Sequence, residues 1–223
     1  MTLDRRGPDA RRSGSTVDDR FLRYWVLWVS IGEAVGFLAP AVTQLAFAGS
    51  PVSRPTLILA GAVEGAVLGW TQATVLKVPV PALSRSRWVG ATALGAAIAW
   101  FIGLLPAEWA DVWQRWPLPA QVVAGAVGAL VLLCSLGVAQ LFELRRHLTG
   151  AGWWVLGSAL AWATGLLVFF AVATPLWQPG QPGWLTLLVG VLAGVLMAVS
   201  MALVTGLVLR RLLRHRNRGE SRN

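Results

Sequence analysis

Cysteine is nearly missing from this chain of 223 residues: Cys134 stands alone, inside an apolar run. One cysteine excludes an intramolecular disulfide, a C-x-x-C redox pair and a thiolate metal cluster, and leaves Cys134 as a small core residue. Histidine is almost as scarce. His147 and His215 both sit among arginines at the ends of apolar segments, a poor setting for haem or zinc, so neither a metal nor a cofactor is expected. No H-E-x-x-H, Walker A, G-x-G-x-x-G or G-x-S-x-G pattern occurs. With no nucleophile and base in recognisable spacing, the chain is not expected to be an enzyme. Charge is thin as well, at 13% of residues against 56% hydrophobic, far from globular averages. The net charge of +9 does not read as a nucleic-acid footprint, because the bases lie between and outside the apolar runs rather than along one face. Behind Arg5, Arg6, Arg11 and Arg12 there is no short apolar core with a small-residue cleavage site, so no cleaved signal peptide is read.

What the chain does contain is long apolar runs. A bilayer core of roughly 30 Å takes about 20 apolar residues in a helix, and only helices or closed barrels satisfy their backbone polar groups there. Six runs qualify: Tyr24 to Phe47, Thr56 to Leu76, Trp88 to Leu105, Val122 to Phe142, Trp154 to Thr174 and Leu185 to Leu209. None alternates with the period of two that a barrel requires. The expected fold is therefore an all-α membrane protein with six transmembrane helices over residues 23–212. A polar tail, 1–22, precedes it and a basic tail, 213–223, follows; both are expected to lack fixed structure and to be drawn to anionic lipid. Pro40 should kink the first run or loosen its outer third.

The bases then assign sides. Arg20 and Arg23 precede the first run, Lys77, Arg85 and Arg87 follow the second, Arg145 and Arg146 follow the fourth, and six arginines follow the sixth. The opposite loops carry only Arg54 and Arg115. Both termini are thus expected in the cytoplasm, as an even number of spans also requires. One lysine against eighteen arginines has the bias of a GC-rich bacterial genome, so the expected location is the bacterial cytoplasmic (inner) membrane.

A motif recurs through these runs. Gly69-x-x-Gln72-x-x-x-Leu76-Lys77 returns as Gly137-x-x-Gln140-x-x-x-Leu144-Arg145 and, in worn form, as Ala202-x-x-Thr205-x-x-x-Leu209-Arg210. Trp25-Val26, Trp88-Val89 and Trp154-Val155 mark the start of each unit. The spacing predicts three parallel two-helix repeats, about 25–77, 88–145 and 154–210, related by an axis along the membrane normal. The terminal base should reach the headgroups while Gln72 and Gln140 lie five residues deeper, roughly 7 to 8 Å, where an amide hydrogen-bonds to a neighbouring helix. Thr205 would serve likewise, and the glycines would let backbones approach. The motif resembles that of a loose group of uncharacterised bacterial polytopic membrane proteins carrying repeated G-x-x-Q-x-x-x-L-R. The resemblance covers mainly Leu68 to Lys77 and Leu136 to Trp162 and implies no activity.

Two acids interrupt this scaffold. Glu64 lies within Gly61-x-x-x-Gly65-x-x-x-Gly69, a small-residue face suited to close helix packing. It is thirteen residues, roughly 20 Å, from Lys77, and Glu33 is ten residues, roughly 15 Å, from Arg23. Both reach the middle of the bilayer, where an ionised carboxylate costs several kcal/mol unless paired, hydrated or protonated. Neither recurs in the sister units. Glu33 and Glu64 are the candidate binding residues, for a cation, a proton or a polar ligand; two protonated carboxyls bonding neighbouring helices are the alternative. Glu143 reads as a surface ion pair with Arg146 and His147. Trp109, Trp113 and Trp116, at i, i+4 and i+7, read as a short helix in the outer interface. The functional expectation is a small ligand- or cation-binding or transport component; a non-catalytic accessory or assembly subunit of a larger membrane complex is the alternative. Expected partners are the lipid bilayer and either other membrane proteins or further copies of the chain, with no nucleic acid.

Overall fold

The computed structural model describes residues 8–47, 49–50 and 52–220, with side chains placed between 19 and 216. Among the described residues all regular structure is helical: α1 (Pro8–Gly36), α2 (Leu38–Phe47), α3 (Ser53–Leu76), α4 (Arg85–Glu108), α5 (Ala110–Trp113), α6 (Leu118–Leu144), α7 (Trp153–Leu176) and α8 (Gly183–Glu220). Five stretches are long and apolar enough to cross a membrane: Asp19–Phe47, Arg85–Glu108, Leu118–Leu144, Trp153–Leu176 and Gly183–Arg216. Helix α3 matches them in length, with 24 residues, and carries Glu64, Thr71, Gln72 and Thr74 among its apolar residues. The terminal segments differ from the expected tails. Helix α1 begins at Pro8 and α8 runs on to Glu220, so the polar ends continue the first and last helices; residues 1–7 and 221–223 lie outside the described residues.

The first apolar run breaks where backbone chemistry requires it. Pro40 has no N–H, and its ring collides with the carbonyl four residues earlier, that of Gly36. Helix α1 ends at Gly36, and α2 restarts at Leu38 after the single residue Phe37. The Phe37 N–H still bonds to the Glu33 carbonyl at 2.9 Å, so the chain bends without unwinding.

The long helices pack in chain order. Helix α1 lies on α3, α3 on α4, α4 on α6, α6 on α7 and α7 on α8, and α8 returns to α1. Wherever lipid surrounds long apolar helices, van der Waals fit and interhelical hydrogen bonds, not the hydrophobic effect, hold them together. Small residues supply the fit. Gly61, Gly65 and Gly69 turn toward α4 at Trp100, Thr92 and Val89, and a Cβ at Gly95 would stand 2.8 Å from the Leu136 Cα of α6.

Burial is concentrated at the arginine-rich end. On α6 the buried residues are Ser135, Leu136, Gly137, Gln140, Glu143 and Leu144, all between Ser135 and its end at Leu144. The core there joins Trp25, Trp88 and Trp154 to Leu76, Leu144 and Leu209. The connections at this end contribute Val80, Leu83, Leu148 and Ala151, which cover the core as a lid of apolar side chains.

Candidate functional site

Trp25, Trp88 and Trp154 have no exposed surface, and their rings meet in the middle of the bundle, Trp25 to Trp154 at 6.5 Å and Trp88 to Trp154 at 6.0 Å between centroids. A buried indole N–H is a donor that must find an acceptor. Each finds one on a neighbouring helix. Trp88 Nε1 donates to Gln72 Oε1 at 3.1 Å, Trp154 Nε1 to Gln140 Oε1 at 2.9 Å and Trp25 Nε1 to Thr205 Oγ1 at 3.0 Å. Because indole can only donate, both amides must present oxygen to it, which turns the Gln140 Nε2 inward. That nitrogen donates to Gln72 Oε1 at 2.9 Å and to Thr92 Oγ1 at 2.8 Å. Gly137, one turn before Gln140, admits α7 so closely that a Cβ there would lie 2.9 Å from the Val155 Cα. Thus Gln72, Gln140 and Thr205 sit in one buried polar layer. The spacing of the motif placed the glutamines at this depth but did not identify their partners; the recurring Trp-Val marks were the available signal.

Glu33 and Glu64 lie deeper, on facing sides of α1 and α3. Both are buried, with 7% and 6% of their surface exposed, and Gly36, one turn from Glu33, lies so near Glu64 that an added Cβ would stand 3.3 Å from its Cγ. The glycine that ends α1 makes this approach possible: a Cβ on Gly36 would stand 2.9 Å from the Glu64 carbonyl oxygen. Trp100 of α4 donates its indole N–H to Glu64 Oε2 at 2.8 Å. Glu33 Oε2 is buried and has no hydrogen-bond partner. No Lys or Arg occurs between Arg23 and Phe47 or between Arg54 and Lys77, so a base on these two helices cannot neutralise the acids. The structure therefore brings together the two acids singled out from the sequence and adds Trp100, which no motif had marked.

The remaining candidates are placed differently. Glu143 is only 3% exposed, not a surface acid. Its Oε1 accepts the Ser84 N–H at 2.7 Å and contacts His147 Nε2 at 3.1 Å, and Arg87 lies 3.5 Å from Oε2. It ties the end of α6 to the start of α4. Trp109 caps the end of α4, Trp113 closes the single turn of α5, the Trp113 and Trp116 rings meet at a tilt with centroids 5.5 Å apart, and Arg54 pairs with Glu108 at 2.6 Å. Among the described residues, no three of His, Cys, Asp and Glu gather as a metal-binding group. No known family matches this chain, and neither a curated protein nor a solved structure matches it.

Proposed function

We propose that this chain is a small multi-pass membrane component that binds and passes on a proton or a monovalent cation at the Glu33–Glu64 pair. The observation that carries this reading is the buried, unpartnered Glu33 Oε2 beside a second buried carboxyl. A polar atom in that position costs about 1–3 kcal/mol if left unsatisfied, and more if charged, so it needs an occupant. A cation bridging the two carboxylates, or a proton shared between them, meets that need with groups already in place. Trp100 holds one Glu64 oxygen, Oε2, on the α4 side of the pair.

Two unit charges 4 Å apart interact by about 4 kcal/mol at an effective dielectric of 20, and 1.4 kcal/mol is tenfold in affinity. Removing one carboxylate should therefore weaken cation binding by at least about a hundredfold. Glu64→Gln, which keeps an acceptor for Trp100, should retain fold and expression yet lose cation- or pH-dependent uptake into proteoliposomes. Glu33→Gln should do the same. Wild-type uptake in either variant would remove the pair from any transport role.

The same reading takes the three hairpins as parallel repeats about an axis along the membrane normal, crossing a bacterial cytoplasmic membrane six times with both termini inside. The three Trp-to-polar bonds support it, since each runs from one hairpin to the next. With Cys134 replaced by alanine, single cysteines at Thr149 and Gln178 should label from opposite sides of the membrane. Labelling from one side would refute the topology. The accessory-subunit reading draws on α6, where none of residues 118–134 is buried and Gly125, Ala126 and Ala129 lie bare for a partner helix.

A further inference from the structure

At the arginine-rich end, the end of α3, the start of α4 and the connection between them line a groove of about 750 Å³. Its walls divide by chemistry. Lys77, Arg85 and the hydroxyls of Ser84 and Ser86 form one end, and Trp70, Val89 and Gly90 continue it along the helices. We propose that this groove seats one anionic phospholipid, with the phosphodiester between Lys77 and Arg85 and an acyl chain lying over Trp70 and Gly90. The proposal rests on the membrane reading above but is independent of the glutamate pair.

Charge complementarity points to an anion. No carboxylate lines this groove, whereas the smaller one beside α1 is lined by Asp19 as well as by Arg20 and Arg23. The neighbouring Arg87 is already engaged by Glu143. Arg85 is held in readiness: its guanidinium lies 4.6 Å from the centroid of the Trp70 ring, and its Nε is buried without a hydrogen-bond partner. A planar guanidinium stacked in this way presents its donors as a fork that matches phosphate geometry. Ser84 caps the 24-residue α4, accepting the Arg87 N–H at 3.5 Å, and the Glu143 carboxylate on the Ser84 N–H already answers the positive end of the helix dipole, so Lys77 and Arg85 carry the attraction.

Continuity with an apolar track points to a lipid rather than free phosphate. Trp70 is 55% exposed, and a Cβ on Gly90 would meet nothing within 4 Å, leaving a shallow bed without a side chain. Helical periodicity extends this bed. Val63, two turns before Trp70, and Leu94, one turn after Gly90, are both exposed on the same faces. An acyl chain hanging from the headgroup would follow them toward the membrane centre.

The test is native mass spectrometry of the full chain titrated with dioleoylphosphatidylglycerol or dioleoylphosphatidylcholine. The anionic lipid should be retained in preference to the zwitterionic one. A base near an anionic surface contributes about fivefold, so Lys77→Gln with Arg85→Gln should lower phosphatidylglycerol binding by about 25-fold. Gly90→Leu keeps both cations, faces open space and should weaken lipid binding by filling the chain's bed; it decides the matter alone if the double variant fails to fold. Excess inorganic phosphate should leave the lipid bound. Equal retention of the two lipids, unchanged binding in these variants, or displacement by inorganic phosphate would each overturn the proposal. Release of the chain from native membranes by alkaline carbonate would overturn the membrane reading and this site with it; a chain that stays in the membrane yet binds both lipids alike overturns the site alone.

Discussion

Leucine at Gly95 or Gly137 should disrupt the packing of α4, α6 and α7. The carbons facing these glycines belong to backbone, the Cα of Leu136 at 2.8 Å and the Cα of Val155 at 2.9 Å from an added Cβ, so no rotamer change can make room. The helices themselves must move apart, and overpacking of even ordinary cores costs about 1–3 kcal/mol, occasionally more. Here the separation would also pull Gln140 away from Trp154 and Gln72, because Gly137 sits one turn from the layer they form. We expect a loss of more than about 3 kcal/mol, seen as aggregation on gel filtration or a large fall in melting temperature in detergent. Gly90→Leu is the control: its Cβ meets nothing within 4 Å, and leucine is the better helix former. If all three variants melted together, close helix approach would not be what holds this bundle.

The second large effect is expected at Gln140, which is 1% exposed and takes part in three interhelical bonds. Gln140→Leu keeps a side chain of similar volume but removes all three bonds. The losses are unequal. Gln72 keeps the Trp88 N–H as a donor and Thr92 keeps the Trp88 carbonyl as an acceptor, whereas Trp154 is left with a fully buried N–H and no partner. An orphaned buried donor costs about 1–3 kcal/mol, and interhelical bonds in membranes contribute about 0.6–2 kcal/mol each. A combined loss of about 2–4 kcal/mol follows. The asymmetry provides an internal check. Trp154→Phe in the Gln140→Leu background removes the orphan and should recover part of the stability, although Trp154→Phe alone should be destabilising. If the double variant is less stable than Gln140→Leu, the indole N–H is not the source of the cost.

Both predictions depend on features of unequal visibility in the sequence. The recurrence of Gly, Gln, Leu and a base at fixed offsets was plain, and a rise of 1.5 Å per residue converts such offsets directly into depth. Gln72, Gln140 and Thr205 could therefore be expected at one level along the helices, and Glu33 and Glu64 at a deeper one. Pro40 likewise announced a break, which falls at Gly36 and Phe37. The pairing of Glu143 with Arg146 and His147 was read correctly, but its burial was missed, because an acid three and four residues from two such partners looks solvated on a helical wheel. Its burial comes from the Lys77–Ser84 connection folding over it, a contact across 59 residues of sequence.

Composition and spacing by themselves determined that the chain is helical, that its apolar stretches reach membrane length and how far along its helix each polar residue stands, because these depend only on side-chain polarity and helical rise. Which helices become neighbours, and which faces they turn to one another, was decided by tertiary packing. Trp25 meeting Thr205 across 180 residues, Trp100 reaching Glu64, and Arg85 stacking on Trp70 all depend on the rotation of one helix against the next. That rotation is set by where glycines allow two backbones to touch and by the need of every buried indole for an acceptor, conditions that no single helix can satisfy within its own sequence.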